Sequence, residues 1–275
     1  MSLQIASLNS GSNGNCYYIA NENEAVLVDV GISLREIERR MIRIGLNMQK
    51  VKAIFISHEH IDHIRGVEAT SRRYSIPVYI SEGTLRNTSM KIDAELVRSF
   101  DAHTAVAVGD LAVIGFGKRH DAADPYSFVV EGNGVSIGVM TDIGSVCENV
   151  STYFKCCHAV FLEANYDEEM LANGRYPEFL KDRIRGDRGH LSNAQALELF
   201  LNHRAGYLGL VLLSHLSRDN NNPKLAQEFF ATHAGNTKVV VASRDTASQV
   251  YTVTAESVEG KFDVATGTDQ QYSLF

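Results

Sequence analysis

Short apolar runs alternate along the chain with stretches whose apolar residues recur every three or four positions, the marks of buried strands and one-sided helices. LQIASL, CYYIA and AVLVDV, the last ending at Asp29, predict three early strands. SLREIERRMIRIGL then predicts a helix. Ser33 offers an N-cap with Glu36 three residues later as in a capping box, and Leu34, Ile37, Met41 and Ile44 share one face before Gly45. VKAIFIS predicts another buried strand, followed by an Arg-rich helix over 64–74. Further strands are expected at PVYIS, LAVIGF, SFVV, VSIGVMTD, AVFLEAN, YLGLVLLSHL and KVVVAS, and helices over 146–156, 177–185, 192–204 and 223–233. The strands fall into two sets, one in each half, and the helices do not strictly alternate with them. A two-sheet sandwich with helices outside fits this order better than a doubly wound sheet.

Composition narrows the picture. With 44 % hydrophobic residues and no long linker or internal repeat, residues 1–265 read as one domain, and 266–275 as a C-terminal tail. The start lacks the basic and apolar regions of a signal peptide, and no apolar run approaches a membrane span, so a cytoplasmic protein without membrane contact is expected. Cys16, Cys147, Cys156 and Cys157 are unevenly spaced, which suits buried free thiols rather than a disulfide framework. A net charge of −7 argues against nucleic-acid binding through the overall field. It leaves room for a nuclease, because bound cations invert the charge of an acidic site locally.

The strand VKAIFIS runs directly into SHEHIDH, which packs three histidines and two carboxylates into positions 57–63. Imidazoles and carboxylates are the ligands a borderline divalent ion takes, and a turn after a buried strand is a rigid place to present them. His58 and His60 can point the same way from extended backbone, while Asp62 and His63 come from the turn and the first helical residue. That spacing suits two adjacent ions. Glu59 and Ile61 are read as spacers.

HEHIDH resembles the signature of the metallo-β-lactamase fold, a four-layer αββα sandwich of the α/β (α+β) class with a two-metal site at the sheet edges. Further ligands should then follow at strand ends. His120 in GKRHDAADPYSF resembles the second-motif histidine, ahead of its rival His103 in FDAHTAVAV, which lacks the following turn residues. Asp142 in VMTDIG ends an apolar strand, where a carboxylate is costly unless paired, and looks like the bridging ligand. His215 in LVLLSHLSRDNNN closes the set. The resemblance implies one ion on His58, His60 and His120 and another on Asp62, His63 and His215, with Asp142 bridging and a shared hydroxide as nucleophile. Zinc, manganese and iron(II) all accept such ligands. Asp29 either orients a ligand histidine or caps the turn that follows it.

The fold hosts several activities, so the remaining motifs must choose among them. SGSNGNCYYI, LVDVGIS, SHEHIDHIRG, HDAADPYSF, MTDIG, LEANYD, GHLSN and LSHLSRDNN together resemble the YycJ/WalJ family over positions 9–221. That resemblance implies a 5′→3′ exonuclease acting on duplex DNA in repair. Asp62 and His190 are then the catalytic pair, with His190 either protonating the leaving 3′ oxygen or standing as a surface histidine before a capping turn. In SGSNGN, Ser10, Asn13 and Asn15 belong either to a phosphate cradle or to an ordinary hairpin loop. Ser192 and Asn193 either bind a phosphate oxygen at a helix start or simply cap it. Arg175, Lys181, Arg183, Arg185 and Arg188, with Lys118 and Arg119, form either a backbone-tracking patch or a solvated surface. Glu163 is left without a role. The alternative activity is small-molecule hydrolysis by a thioesterase or cyclic phosphodiesterase of the same fold; a diiron redox protein lacks a flavin domain to feed it.

The spacing between Asp142 and His215 is too short for the inserted domain of β-CASP nucleases, and no Gly/Pro-rich arm like that of transfer-RNA 3′ processing enzymes separates His63 from His120. The chain ends QYSLF, similar to peptides by which bacterial DNA enzymes dock on the sliding clamp through residues placed as Gln271, Leu274 and Phe275 are here. The same residues also fit a frayed tail.

Overall fold

The computed structural model describes residues 2–256; the expected tail at 266–275 and the end of the expected domain lie outside the described residues. The first sheet takes β1 (Ser2–Asn9), β2 (Cys16–Ala20), β3 (Ala25–Val28), β4 (Val51–Phe55), β5 (Val78–Tyr79) and β6 (Val97–Arg98). The second takes β7 (Ala105–Val108), β8 (Leu111–Gly117), β9 (Tyr126–Gly132), β10 (Val135–Met140), β11 (Ala159–Glu163), β12 (Leu210–Ser214) and β13 (Lys238–Val241). β14 (Tyr251–Thr254) returns to the first sheet and pairs antiparallel with β1, Ser2 facing Thr254. The orders are β14-β1-β2-β3-β4-β5-β6 and β13-β12-β11-β10-β9-β8-β7.

Each sheet is antiparallel in one half and parallel in the other, the change falling at β3 in the first and at β10 in the second. β3 and β10 each run parallel to their next neighbour, and so do β4, β11 and β12. The carboxyl ends of parallel strands, where loops diverge into crossovers, are the usual place for a site in such sheets.

The helices are α1 (Leu34–Arg43), α2 (Ile61–Ile64), α3 (Val67–Tyr74), α4 (Glu82–Arg86), α5 (Glu148–Phe154), α6 (Glu168–Asn173), α7 (Glu178–Arg185), α8 (Asn193–His203) and α9 (Pro223–Ala231). Three apolar layers hold them to the sheets. Ile5, Tyr17, Val28 and Phe55 of the first sheet meet Phe128, Val139, Phe161 and Leu212 of the second between the sheets. Ile37 and Met41 of α1 and Val67 of α3 cover the outside of the first sheet. Val150, Phe154, Leu197, Phe200 and Phe230 of α5, α8 and α9 cover the outside of the second. Burial of such side chains contributes roughly 1.5–3 kcal/mol each before the entropy of ordering them is set against it. The expected αββα sandwich is the observed one.

Local differences have local causes. The helix expected over 64–74 starts earlier and breaks at Gly66, whose N–H donates to Val30 O 2.8 Å away. The Ser33 hydroxyl accepts from Glu36 N–H at 3.4 Å, but the Glu36 carboxylate is taken by Arg39 and Arg40, which leaves only half of the expected capping box. A complete capping box joins Ser192 and Gln195 instead. β7 and β14 have short, alternating AVAV and YTVT sequences that stand out little from loop, and both lie at sheet edges.

One close approach fixes the motif. The N–H of Asn15 donates to Asp62 O at 2.7 Å, that of Gly31 to Asn15 O at 2.8 Å, and that of Val30 to His63 O at 2.8 Å. A Cβ on Gly31 would lie 1.6 Å from Asp62 O. Gly31→Ala is therefore expected to cost on the order of 3 kcal/mol of stability and to weaken cation binding with it. Thermal unfolding with and without added zinc tests this, and an unchanged melting temperature would contradict it.

Candidate metal centre

The side chains singled out in the sequence converge at one end of both sheets. Asp29 follows β3, Ser57 and His58 follow β4, and Asp62 and His63 sit in α2. His120 follows β8, Asp142 follows β10, Glu163 ends β11 and His215 follows β12. Asp29, Asp142 and His215 have φ of 59°, 54° and 56°, the left-handed region that side chains other than glycine enter at a cost. The strain turns each chain sharply off its strand and aims the side chain into the site.

His58 Nε2 lies 3.0 Å from His60 Nδ1, and His120 Nε2 lies 3.4 Å from the same atom. On the other side, His63 Nε2 lies 3.6 Å and His215 Nε2 3.5 Å from Asp62 Oδ2. Asp142 stands between the two sets, Oδ2 at 3.2 Å from His63 Nε2 and Oδ1 at 3.4 Å from His215 Nδ1 and 3.9 Å from His120 Nε2. Within each of four overlapping groups, ligand atoms lie within 4.8 Å of one another: His58/His60/His120, Asp62/His63/His215, His58/His63/Asp142 and Asp142/Glu163/His190/His215.

The ring orientations are set from behind. His63 Nδ1 lies 2.7 Å from Asp29 Oδ2, so it carries the proton and turns Nε2 to the site. The Asp29 carboxylate also accepts from the Ser57 N–H and hydroxyl, both at 2.8 Å, which makes it an orienting group at both ends of the motif. His120 Nδ1–H donates to Gly189 O at 3.0 Å. Glu59, expected as a spacer, accepts from Ala123 N–H at 2.8 Å and pins the loop after His120.

Charge defines what the site wants. Asp29, Asp142 and Glu163 are buried, Asp62 is largely so, and among the described residues the only buried ammonium beside them is Lys118, whose Nζ donates to Thr141 O at 2.6 Å. Burial pushes the Lys118 pKa down although Asp142 and Asp29 oppose it. At His215, burial would lower the pKa, but Asp142, Asp62 and Glu163 outweigh it and raise it to about 10. His63 is likewise raised, burial being overcome by Asp142, Asp29 and Asp62. His58 is lowered by burial and by the neighbouring His63, and burial takes His120 down to about 3. Burial would raise Asp142, yet His215 and His63 hold it well below the carboxylate range. Among the described residues, two buried atoms at the centre, Asp142 Oδ2 and His215 Nε2, make no hydrogen bond. Excess buried negative charge, neutral imidazoles at His58 and His120, and central atoms left without hydrogen-bond partners together fit divalent cations.

Glu163 is the residue the sequence left unexplained. Fully buried, it accepts from His190 Nδ1 at 2.8 Å, His215 Nδ1 at 3.0 Å, Ile143 N–H at 2.7 Å and Leu191 N–H at 3.1 Å. Its place at the end of the wholly apolar run AVFL was the available signal, the same that marked Asp142. Asp121 was also missed; its Oδ1 lies 3.3 Å from His120 Nε2 and its Oδ2 2.5 Å from Arg183. His103 lies apart, exposed and bonded to the Tyr153 hydroxyl at 2.9 Å.

The expected phosphate contacts are placed differently from an open cradle. Ser10 and Asn15 are buried: the Ser10 hydroxyl accepts from His215 N–H at 2.8 Å, and Asn15 Nδ2 lies 3.3 Å from Asp62 Oδ2 and 3.1 Å from His63 Nε2. Ser12 and Asn13 form the exposed tip of that loop. Ser192 and Asn193 are buried caps, the first bonded to Gln195 N–H and Glu168, the second to Asn221. Of the expected basic patch, Lys118 and Lys181 are buried and Arg185 is bound to Glu178 and Asp182. Arg183 lines the cleft that opens onto the site, about 280 Å³ and also walled by Ser12, His60, Tyr176, His190 and Ser217.

Two back-to-back mixed sheets with an imidazole and carboxylate cluster at their common edge define a metallo-hydrolase of the metallo-β-lactamase fold. Residues 24–216 match the model of the β-lactamase superfamily domain. The chain is 34 % identical over 230 residues to the exodeoxyribonuclease YycJ of Bacillus anthracis, covering 82 % of this chain and 87 % of that one. It is 33 % identical over 224 residues to the exodeoxyribonuclease WalJ of Streptococcus pneumoniae, covering 80 % and 83 %. Among solved structures, the metallo-β-lactamase fold protein YhfI of Bacillus subtilis superposes with a TM-score of 0.72 at 14 % identity, over 92 % of this chain and all of that one (100 %). This protein belongs to the β-lactamase superfamily and, within it, to the YycJ/WalJ exodeoxyribonuclease family. Among the described residues no helix is long and apolar enough to cross a membrane.

The raised pKa of His215 has a measurable consequence. Its folded value of about 10 exceeds the ordinary 6.5, so the proton's stabilisation of the metal-free fold is complete below 6.5 and lost as pH rises toward 10. A cation taken up at pH 7 must displace that proton. Calorimetry in buffers of differing ionisation enthalpy is expected to show at least about one proton released per chain on zinc binding; uptake with no release would contradict the charge assignment.

Proposed function

We propose that this protein is a cytoplasmic 5′→3′ exonuclease that acts on duplex DNA in repair, using two divalent ions, zinc or manganese. The pair of orphaned atoms, Asp142 Oδ2 and His215 Nε2, at the centre of the imidazole and carboxylate cluster is the observation that carries the metal reading. DNA as substrate is supported by the exodeoxyribonuclease names of relatives that align over most of the chain. His58, His60 and His120 would hold one ion and Asp62, His63 and His215 the other, with Asp142 shared. When bound, such a pair supplies neutralisation of phosphoryl charge and a lowered pKa for attacking water.

The chain's own residues do the rest. Asp62 has Oδ2 committed to Asn15 and the facing imidazoles, which leaves its other oxygen to orient the attacking water. Glu163 accepts from His190 Nδ1, so Nε2 is the ring nitrogen left for the cleft; in the imidazolium form the ring gives its Nε2 proton to the leaving 3′ oxygen and is left neutral, with Nδ1–H still on Glu163. Arg183, tied to Asp121 at the cleft wall, offers charge to the incoming phosphodiester.

Incubation with 5′-phosphorylated duplex DNA, single strands, RNA and a thioester panel, with manganese or zinc, tests the substrate. Release of mononucleotides from 5′ ends of duplex is expected; turnover of the thioester alone, lost in Asp142→Ala, would overturn the nuclease reading in favour of a small-molecule hydrolase. His190→Gln is expected to lower kcat by roughly 10²–10⁴ with metal content retained, whereas loss of bound metal would make His190 a ligand instead.

Gln271, Leu274 and Phe275 lie outside the described residues. We propose that they dock the enzyme on the sliding clamp. Deleting the last five residues is expected to abolish clamp binding and spare nuclease activity; unchanged binding in a pull-down with purified clamp would refute it.

A further inference from the structure

Beside the cleft lies a second, larger pocket of about 590 Å³, lined among others by Ser10, Asn13, Ser217, Arg218, Ser243 and Arg244. The volume is in the range of pockets that hold whole small ligands, roughly 300–1,000 Å³. The two cavities share a wall. Ser217 lines both, and the segment from His215 to Ser217 separates them, His215 facing the cleft and Leu216 the pocket. The loop 10–13 forms the other side, with Ser12 in the cleft and Ser10 and Asn13 in the pocket.

The pocket holds charge that the protein leaves unanswered. Arg244 lies against Gly11, where a Cβ would meet its Nη2 at 2.9 Å. Nη2 donates to Ser12 Oγ at 3.1 Å, while Nε is shielded from solvent and has no acceptor. Asn13 Nδ2 donates to Arg244 O at 3.1 Å, which fixes the backbone from which the guanidinium springs. Among the described residues, no carboxylate lies within ion-pair distance of Arg244 or of the exposed Arg218, and Arg218 has no side-chain hydrogen bond. Asp245 is the one acid in the lining among the described residues, and the Ser243 hydroxyl accepts from its backbone N–H. A guanidinium held in place but not neutralised, on a chain whose net charge is −7, calls for an anion from outside.

We propose that this pocket binds a phosphate group of the nucleic-acid strand next to the one being cleaved, anchored by Arg244 and Arg218. The inference rests on the nuclease reading above and adds to it the part of the substrate that reaches past the metal centre. The phosphate is either the 5′-terminal monoester or an internal diester, and both present the same oxygens to a guanidinium fork.

The test compares wild type, Arg244→Gln and Arg218→Gln on three substrates: duplex with a 5′-phosphate, the same duplex with a 5′-hydroxyl, and bis(p-nitrophenyl) phosphate, which is too small to span both cavities. Each variant is expected to lower the ratio of kcat/KM on the phosphorylated duplex to that on the small diester by about tenfold or more, through KM. This corresponds to about 1.4 kcal/mol of lost binding. A fall confined to the phosphorylated duplex places the terminal monoester in the pocket, and an equal fall on both duplexes places an internal diester there. Arg218 makes no side-chain hydrogen bond or ion pair among the described residues, so Arg218→Gln keeps the test valid if Arg244→Gln disturbs the loop. Ratios unchanged in both variants, in an enzyme that degrades duplex, overturn the pocket assignment alone. A wild type that cleaves the small diester and leaves every duplex intact overturns the nuclease reading, and this inference with it.

Discussion

Four carboxylates, Asp29, Asp62, Asp142 and Glu163, gathered at one end of two sheets, set the conditions that the rest of the site must meet. Buried like charges repel, and each carboxylate separately loses hydration that only a cation or several donors can replace. Two of them are satisfied from within: Asp29 by Ser57 and His63, Glu163 by His190, His215 and two backbone amides. Asp62 and Asp142 keep oxygens facing the histidines, and there the demand for external positive charge is concentrated. The outer carboxylates thus act as frames for the rings, and the inner ones as the reason for the ions.

The sandwich explains how such a cluster is affordable to the fold. Both sheets change from antiparallel to parallel within their middle, at β3 and β10, and six strand ends, those of β3, β4, β8, β10, β11 and β12, deliver side chains to one edge while the apolar layers behind them remain continuous. The cluster lies beyond the ends of the strands rather than within the core. Its polar demands therefore do not interrupt the packing between the sheets.

Much of this was legible in the chain. HEHIDH, His120, Asp142 and His215 each follow a run of buried strand residues, and that pairing of an abrupt polar residue with an apolar run is local, so the sequence displays it. Glu163 has the same local mark but shows its role only through His190 and His215, partners 27 and 52 residues away, which no local pattern reveals. Ser10, Asn15, Ser192 and Asn193 stayed open between two readings: small polar residues beside glycines suit a ligand loop and a capped turn equally, and burial, a tertiary property, is not displayed by the local pattern. The edge strands β7 and β14 and the break at Gly66 escaped for a similar reason, since each is stabilised by contacts with distant chain rather than by its own pattern.

Asp29, Asp142 and His215 carry left-handed backbone at the ends of β3, β10 and β12. Glycine would relax all three positions, and no other residue would do so as well, yet glycine has no side chain to offer. A mutational drift that rewarded thermostability alone would therefore erase the site at these positions first. The presence of Asp and His at these positions makes backbone conformation, as much as ligand chemistry, a criterion for telling a working member of this fold from one that has become a scaffold.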